Sequence, residues 1–143
     1  MKNIDGIKPF PSLSEADLQI MLAQYLRLYY PDILFHSDFG SGVKLTAGQA
    51  VCQSKQNGGR RAWPDLFIAA PTNLFHGLFI ELKRDGTRLK KRNGDWATVH
   101  IAEQAEVLGQ LRERGYEAVF ACGFDQAREI IDEYLRRYSK FVN

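Results

Sequence analysis

Two short apolar runs, Asp65 to Ala70 and Gly77 to Lys83, are separated by the turn-forming Pro71-Thr72-Asn73, and any fold this chain adopts has to be built around them. Runs of this length bounded by turn residues read as two strands, paired antiparallel. Side chains alternate along a strand, so Phe79, Glu81 and Lys83 share one face while Leu78, Ile80 and Leu82 share the other. On the first strand Asp65, Phe67 and Ala69 share a face. If the turn centres on Asn73, Asp65 lies opposite Glu81 with Cβ atoms roughly 5 Å apart. Facing carboxylates repel each other. A divalent cation removes the repulsion, and ligation by one or two carboxylates with several waters is the mode magnesium prefers. Lys83 projects toward the same spot, where it could hold a water or a phosphate oxygen.

Around this pair the chain is readable in outline. Residues 1 to 11, with Gly6, Pro9 and Pro11, read as an irregular arm. A helix is expected from Glu15 to Tyr30, stopped by Pro31, and a strand from Asp32 to Asp38. Phe39 to Ala62 is rich in glycine and weakly periodic, so a long loop is expected there, with a short strand around Gln49 to Gln53 as an option. A helix from Thr98 to Arg114, a strand from Tyr116 to Cys122 and a helix from Asp125 to Tyr138 complete one domain spanning residues 1 to 143. The order is α-β-β-β-α-β-α, an α/β chain.

Two further polar residues interrupt apolar patterns, as functional residues often do. Glu15 falls on the stripe of Leu18, Leu22 and Leu26 at 100° per residue, which turns a carboxylate toward the core at the helix start. The alternative is a capping box, Ser12-x-x-Glu15, in which Glu15 returns to the helix N-terminus. Gln104 falls inside the stripe of Ile101, Leu108 and Leu111. It either bonds to backbone in the core or serves a site, since a buried amide without partners costs about 1–3 kcal/mol.

The net charge of +2 is unevenly distributed. Lys83 to Asp95 holds six basic and two acidic residues, a local +4 on a remainder of −2. A segment of this kind suits a polyanion, provisionally nucleic acid, or else is a solvated loop. Arg60 and Arg61, just before Asp65, are placed for phosphate contact or are ordinary loop charges. Trp63 and Trp96 flank the two basic segments, as hydrophobic anchors or as platforms for exposed bases. His36, His76 and His100 have no ligand spacing from another His or Cys, which leaves them structural or surface residues. Cys52 and Cys122 form no C-x-x-C pair, and neither a signal peptide nor 18 consecutive apolar residues occurs. A cytoplasmic protein that spans no membrane is expected.

Pro64-Asp65, fifteen intervening residues and Glu81-Leu82-Lys83, on successive strands after a helix with an inward Glu15, resemble the PD-(D/E)XK nuclease superfamily. The helical Gln104 narrows the resemblance to a stand-alone VRR-NUC domain, over roughly residues 12 to 125. That resemblance implies a restriction-endonuclease-like mixed β-sheet flanked by helices. It implies that Asp65, Glu81 and the backbone carbonyl of Leu82 hold Mg2+ or Mn2+, that Lys83 is the catalytic lysine, and that Glu15 and Gln104 complete the catalytic set. It further implies a homodimeric DNA endonuclease acting on branched DNA such as four-way (Holliday) junctions, in DNA repair, with no organic cofactor. Arg60, Arg61, Arg84, Arg88, Lys90, Lys91 and Arg92 are the expected nucleic-acid contacts. The rival expectations are a nuclease-fold DNA-binding subunit without cleavage and a basic-loop RNA-binding module.

Overall fold

A computed structural model of the protein describes residues 12–38, 44–59 and 62–142. The elements are α1 (Glu15–Tyr29), β1 (Phe35–Ser37), α2 (Ala47–Gln56), β2 (Leu66–Ile68), β3 (Leu78–Lys83), α3 (Val99–Glu113), β4 (Glu117–Cys122) and α4 (Phe124–Val142). The four strands form one mixed sheet in the order β1-β2-β3-β4, antiparallel except for the parallel β3–β4 pair joined through α3. The expected α/β architecture holds, with one added helix. The arm over residues 1 to 11 lies outside the described residues.

The register of β2 on β3 pairs Leu66 with Ile80, Phe67 with Phe79 and Ile68 with Leu78, so the next pair outward is Asp65 and Glu81. The turn is therefore centred on Asn73, the condition under which Asp65 and Glu81 face each other. One face of the sheet carries Leu66, Ile68, Leu78, Ile80 and Leu82 into a core with Leu18, Leu22 and Leu26 of α1 and Ala127, Ile131, Tyr134 and Leu135 of α4. On the other face Phe79 and Ala118 pack with Leu108 and Leu111 of α3, and Phe67 stacks on Phe79 with centroids 4.5 Å apart. Away from the carboxylates, the Tyr25 and Tyr30 hydroxyls both donate to Asp132 Oδ1, at 2.6 and 2.7 Å, tying α1 to α4. Because helices cover both faces, β3 is buried along its whole length, its polar residues included.

Three local expectations need correction. The helix cap is Ser14, not Ser12: its hydroxyl accepts from the Asp17 N–H, and Asp17 returns to the Ser14 N–H. Glu15 is thus released from capping. Ala47–Gln56 is a helix rather than a loop or a short strand, capped by Thr46 with Gln49 at the reciprocal position. None of its residues is buried, so it carries no apolar stripe by which periodicity would reveal it.

The basic segment after Lys83 is also more ordered than a solvated loop. Lys90 bridges to Trp96, the Lys91 N–H donates to Asp95 O, and the Ala97 N–H donates to Leu89 O. These bonds make a hairpin, closed by a turn in which Gly94 adopts φ +90°, a conformation only glycine takes readily.

Candidate active site

Asp65 and Glu81 meet at the end of the sheet where β2 begins and β3 finishes. Both are buried, at 4% and 3% exposure, as are Lys83 and Gln104 at 5% each. Isolated charges in such a place are costly, so their partners define the site. Asp65 Oδ2 accepts from the Leu82 N–H at 2.8 Å. Lys83 Nζ lies 3.4 Å from Glu81 Oε1 and 3.8 Å from Glu15 Oε1. Gln104 Nε2 donates a short hydrogen bond to the same Glu81 oxygen. Four of the five side chains expected to form the catalytic set, Glu15, Glu81, Lys83 and Gln104, are thus directly linked, and the fifth, Asp65, lies opposite Glu81 with its carboxylate on the Leu82 N–H.

Both open alternatives are decided by these contacts. Glu15 is directed at Lys83, not back at its own helix start. Gln104 is bonded to the site carboxylate rather than to backbone, and its Oε1 is buried without a hydrogen-bond partner among the described residues. A buried orphan oxygen is costly unless something else satisfies it.

Burial and the neighbouring Asp65 charge push the Glu81 carboxyl up to about 9, against the opposing pull of Lys83. Without a cation, then, Glu81 keeps its proton at neutral pH. Because the folded-state value lies above the unfolded one, the associated stability is complete below the ordinary carboxylate range and is lost as pH rises through about 9. Glu81→Gln keeps the neutral shape at every pH. In chelator it should match the parent near pH 4 and exceed it at pH 8 by something on the order of 1–3 kcal/mol, read from thermal melts across that range. Equal pH slopes for the two proteins would show that Glu81 is already ionised.

Gln19 is a member of the site that sequence reasoning missed. It is buried in α1, and its Nε2 donates to the carbonyls of Asp38 at 3.0 Å and Asp65 at 3.3 Å. The Asp38 N–H also donates to the Asp65 carbonyl, at 2.7 Å. These bonds clamp the backbone from which the Asp65 carboxylate projects. The signal was present, because Gln19 stands three residues before Leu22 and seven before Leu26, within the buried stripe.

Among the described residues no three His, Cys, Asp or Glu side chains converge in a metal-binding cluster. The pair Asp65 and Glu81 supplies two hard oxygen donors, which suits a cation that keeps several waters. His36, His76 and His100 are all exposed. Of the expected nucleic-acid contacts, Arg88, Lys90, Lys91 and Arg92 are exposed on or beside the hairpin. Arg84 is engaged locally, donating to the carbonyls of Ser12 at 3.0 Å and Leu13 at 3.4 Å. Arg60 and Arg61 lie outside the described residues. Trp63 sits edge-on to Phe79 at 5.3 Å, and Trp96 packs between Phe120 and the Lys90 ammonium, so both rings anchor their segments.

No helix among the described residues is long and apolar enough to cross a membrane. No protein-family model matches the chain, and no curated protein does. Among solved structures, a VRR_NUC domain protein is similar with a TM-score of 0.65 and 24% sequence identity, over 90% of this chain and 93% of that one. The likeness extends over nearly the whole length of both chains. The chain has the VRR-NUC fold.

Proposed function

We propose that the protein is a Mg2+- or Mn2+-dependent deoxyribonuclease that hydrolyses phosphodiester bonds in branched DNA such as four-way junctions, working as a homodimer. The observation that carries this reading is that Glu81, Lys83, Gln104 and Glu15 are bonded into one group at one sheet end, with the buried Asp65 opposite Glu81, in a chain with this fold. Asp65 and Glu81, with the Leu82 carbonyl, would hold the ion. The fit rests on the two buried carboxylates, on the Gln104 Oε1 left without a partner, and on a Glu81 that is neutral until a positive charge replaces its proton. Such an ion supplies Lewis-acid stabilisation of phosphate charge and lowers the pKa of water.

The rest of the chemistry belongs to the chain itself. Lys83 places a buried positive charge where a phosphate gains negative charge as its bond breaks. Gln104 fixes the rotamer of Glu81, and its free oxygen orients water. Glu15, at the solvent side of Lys83, keeps that ammonium aimed into the site. Gln19 holds the Asp65 backbone still, so that little reorganisation remains for the reaction itself.

The hairpin binds the substrate backbone in this reading. Neutralising Arg88, Lys90, Lys91 and Arg92 together should weaken DNA binding and flatten the slope of log K against log salt by up to about four units, one per lost phosphate contact. An unchanged slope would remove the hairpin from the interface. The activity itself is tested with an end-labelled four-way junction. Incision is expected in Mg2+ or Mn2+ and none in Ca2+ or chelator. A protein that binds the junction without cutting it in any of these would be a DNA-binding subunit instead.

A further inference from the structure

Helix α2 stands outside both hydrophobic cores. Its ten residues include none that is buried, and Val51 is 55% exposed. A helix this short is marginal in water without tertiary packing, whatever its caps contribute. Some surface outside the described fold must therefore stabilise it in use. Its charge identifies the kind of surface. Between Asp38 and Asp65 the sequence has four basic residues and no acidic one, while the rest of the chain has 15 basic against 17 acidic. Lys44 and Lys55, the two within the described residues, are both exposed. The amide and hydroxyl side chains of residues 44–59 are Thr46, Gln49, Gln53, Ser54, Gln56 and Asn57. An acid-free surface rich in neutral hydrogen-bonding groups is complementary to a nucleic-acid backbone and groove.

The topology supplies a second argument. β2 and β3 are antiparallel, so the segment entering at Asp65 and the one leaving at Lys83 lie at the same end of the sheet, where the carboxylates are. The first follows α2 and the second leads to the basic hairpin. The chain thus reaches the site end of the sheet from α2 and leaves it toward the basic hairpin. We infer that α2, with Lys44 and Lys55, is a second nucleic-acid-binding element that settles onto the DNA flanking the bond to be cut. This inference rests on the nuclease reading and extends it to a surface outside the catalytic group.

Hydrogen exchange in chelator, with and without a mixed-sequence four-way junction, tests it directly. The amides of Ala50 to Asn57 should exchange rapidly in the free protein at every protein concentration and slow at least about tenfold with DNA. Protection already present in the dilute free protein would mean that the chain itself covers α2. Protection that grows with protein concentration alone would make the occupant a second copy. Either result overturns the inference, as does an unprotected α2 in a complex whose hairpin is protected; that last result leaves the nuclease reading standing. Failure to bind DNA at all would sink both. Independently, Lys44→Glu with Lys55→Glu should weaken binding about tenfold or more at low salt and reduce the salt slope by about two. Unchanged affinity in this double variant would also overturn it.

Discussion

Alanine at Asp65 or at Glu81 is expected to reduce cleavage by about a thousandfold or more, some 4 kcal/mol of barrier, while DNA affinity stays within about threefold of the parent. Each substitution removes one of two carboxylates that face each other across β2 and β3, and neither touches the basic hairpin. Asp65 also accepts the Leu82 N–H inside the protein, so Asp65→Ala leaves that donor without its partner. Asp65→Asn retains an acceptor at the same place and removes only the charge. It should fold as the parent does and be equally inactive. Robust cutting by Asp65→Asn or Glu81→Ala in Mg2+ would show that the reaction is not organised by this pair.

The pair is legible in the sequence because a strand has a fixed period and Pro71-Thr72-Asn73 fixes the turn. One register then puts apolar residues on one face and the carboxylates opposite each other on the other. Gln104 is legible for the related reason that an amide breaks an otherwise apolar helical stripe. Where those signals are absent, the sequence misleads. Helix α2 buries nothing, and it lies within a glycine-rich stretch that reads as a loop. The cap is Ser14 rather than Ser12 because the Ser14 backbone is extended and its hydroxyl accepts from the Asp17 N–H, a local geometry that the residue pattern does not display. The hairpin at Lys90–Trp96 carries an Asn93-Gly94 turn signal, but its charge pattern speaks only to a polyanionic partner or a solvated loop and not to its backbone. Gln19 is different, because it carries the same signal as Gln104, an amide within a buried stripe, and only its partners, the carbonyls of Asp38 and Asp65, lie beyond what the stripe reveals.

Gln104→Leu should separate stability from catalysis. Leucine completes the stripe of Ile101, Leu108 and Leu111, and it removes an oxygen that now lacks a partner. It also removes the hydrogen bond to Glu81. These contributions oppose each other, so the melting temperature should stay level or rise slightly. Cleavage should nevertheless fall by about 10- to 1000-fold, or 1.4–4 kcal/mol of barrier, with little change in DNA affinity, because the amide acts on the geometry of the reacting groups. Melting and single-turnover cleavage on the same protein decide the matter. A destabilised protein with near-normal turnover would make Gln104 a structural hydrogen-bonder and detach α3 from the chemistry.

The central claim is that Asp65 and Glu81 together hold a divalent cation. Its most direct test is anomalous scattering from a crystal of the intact protein grown in Mn2+. The expected result is a manganese peak in contact with both carboxylates, absent in Glu81→Ala grown alike. Manganese density only at other places, with Glu81 still hydrogen-bonded between Gln104 and Lys83 and no peak beside it, would contradict the claim.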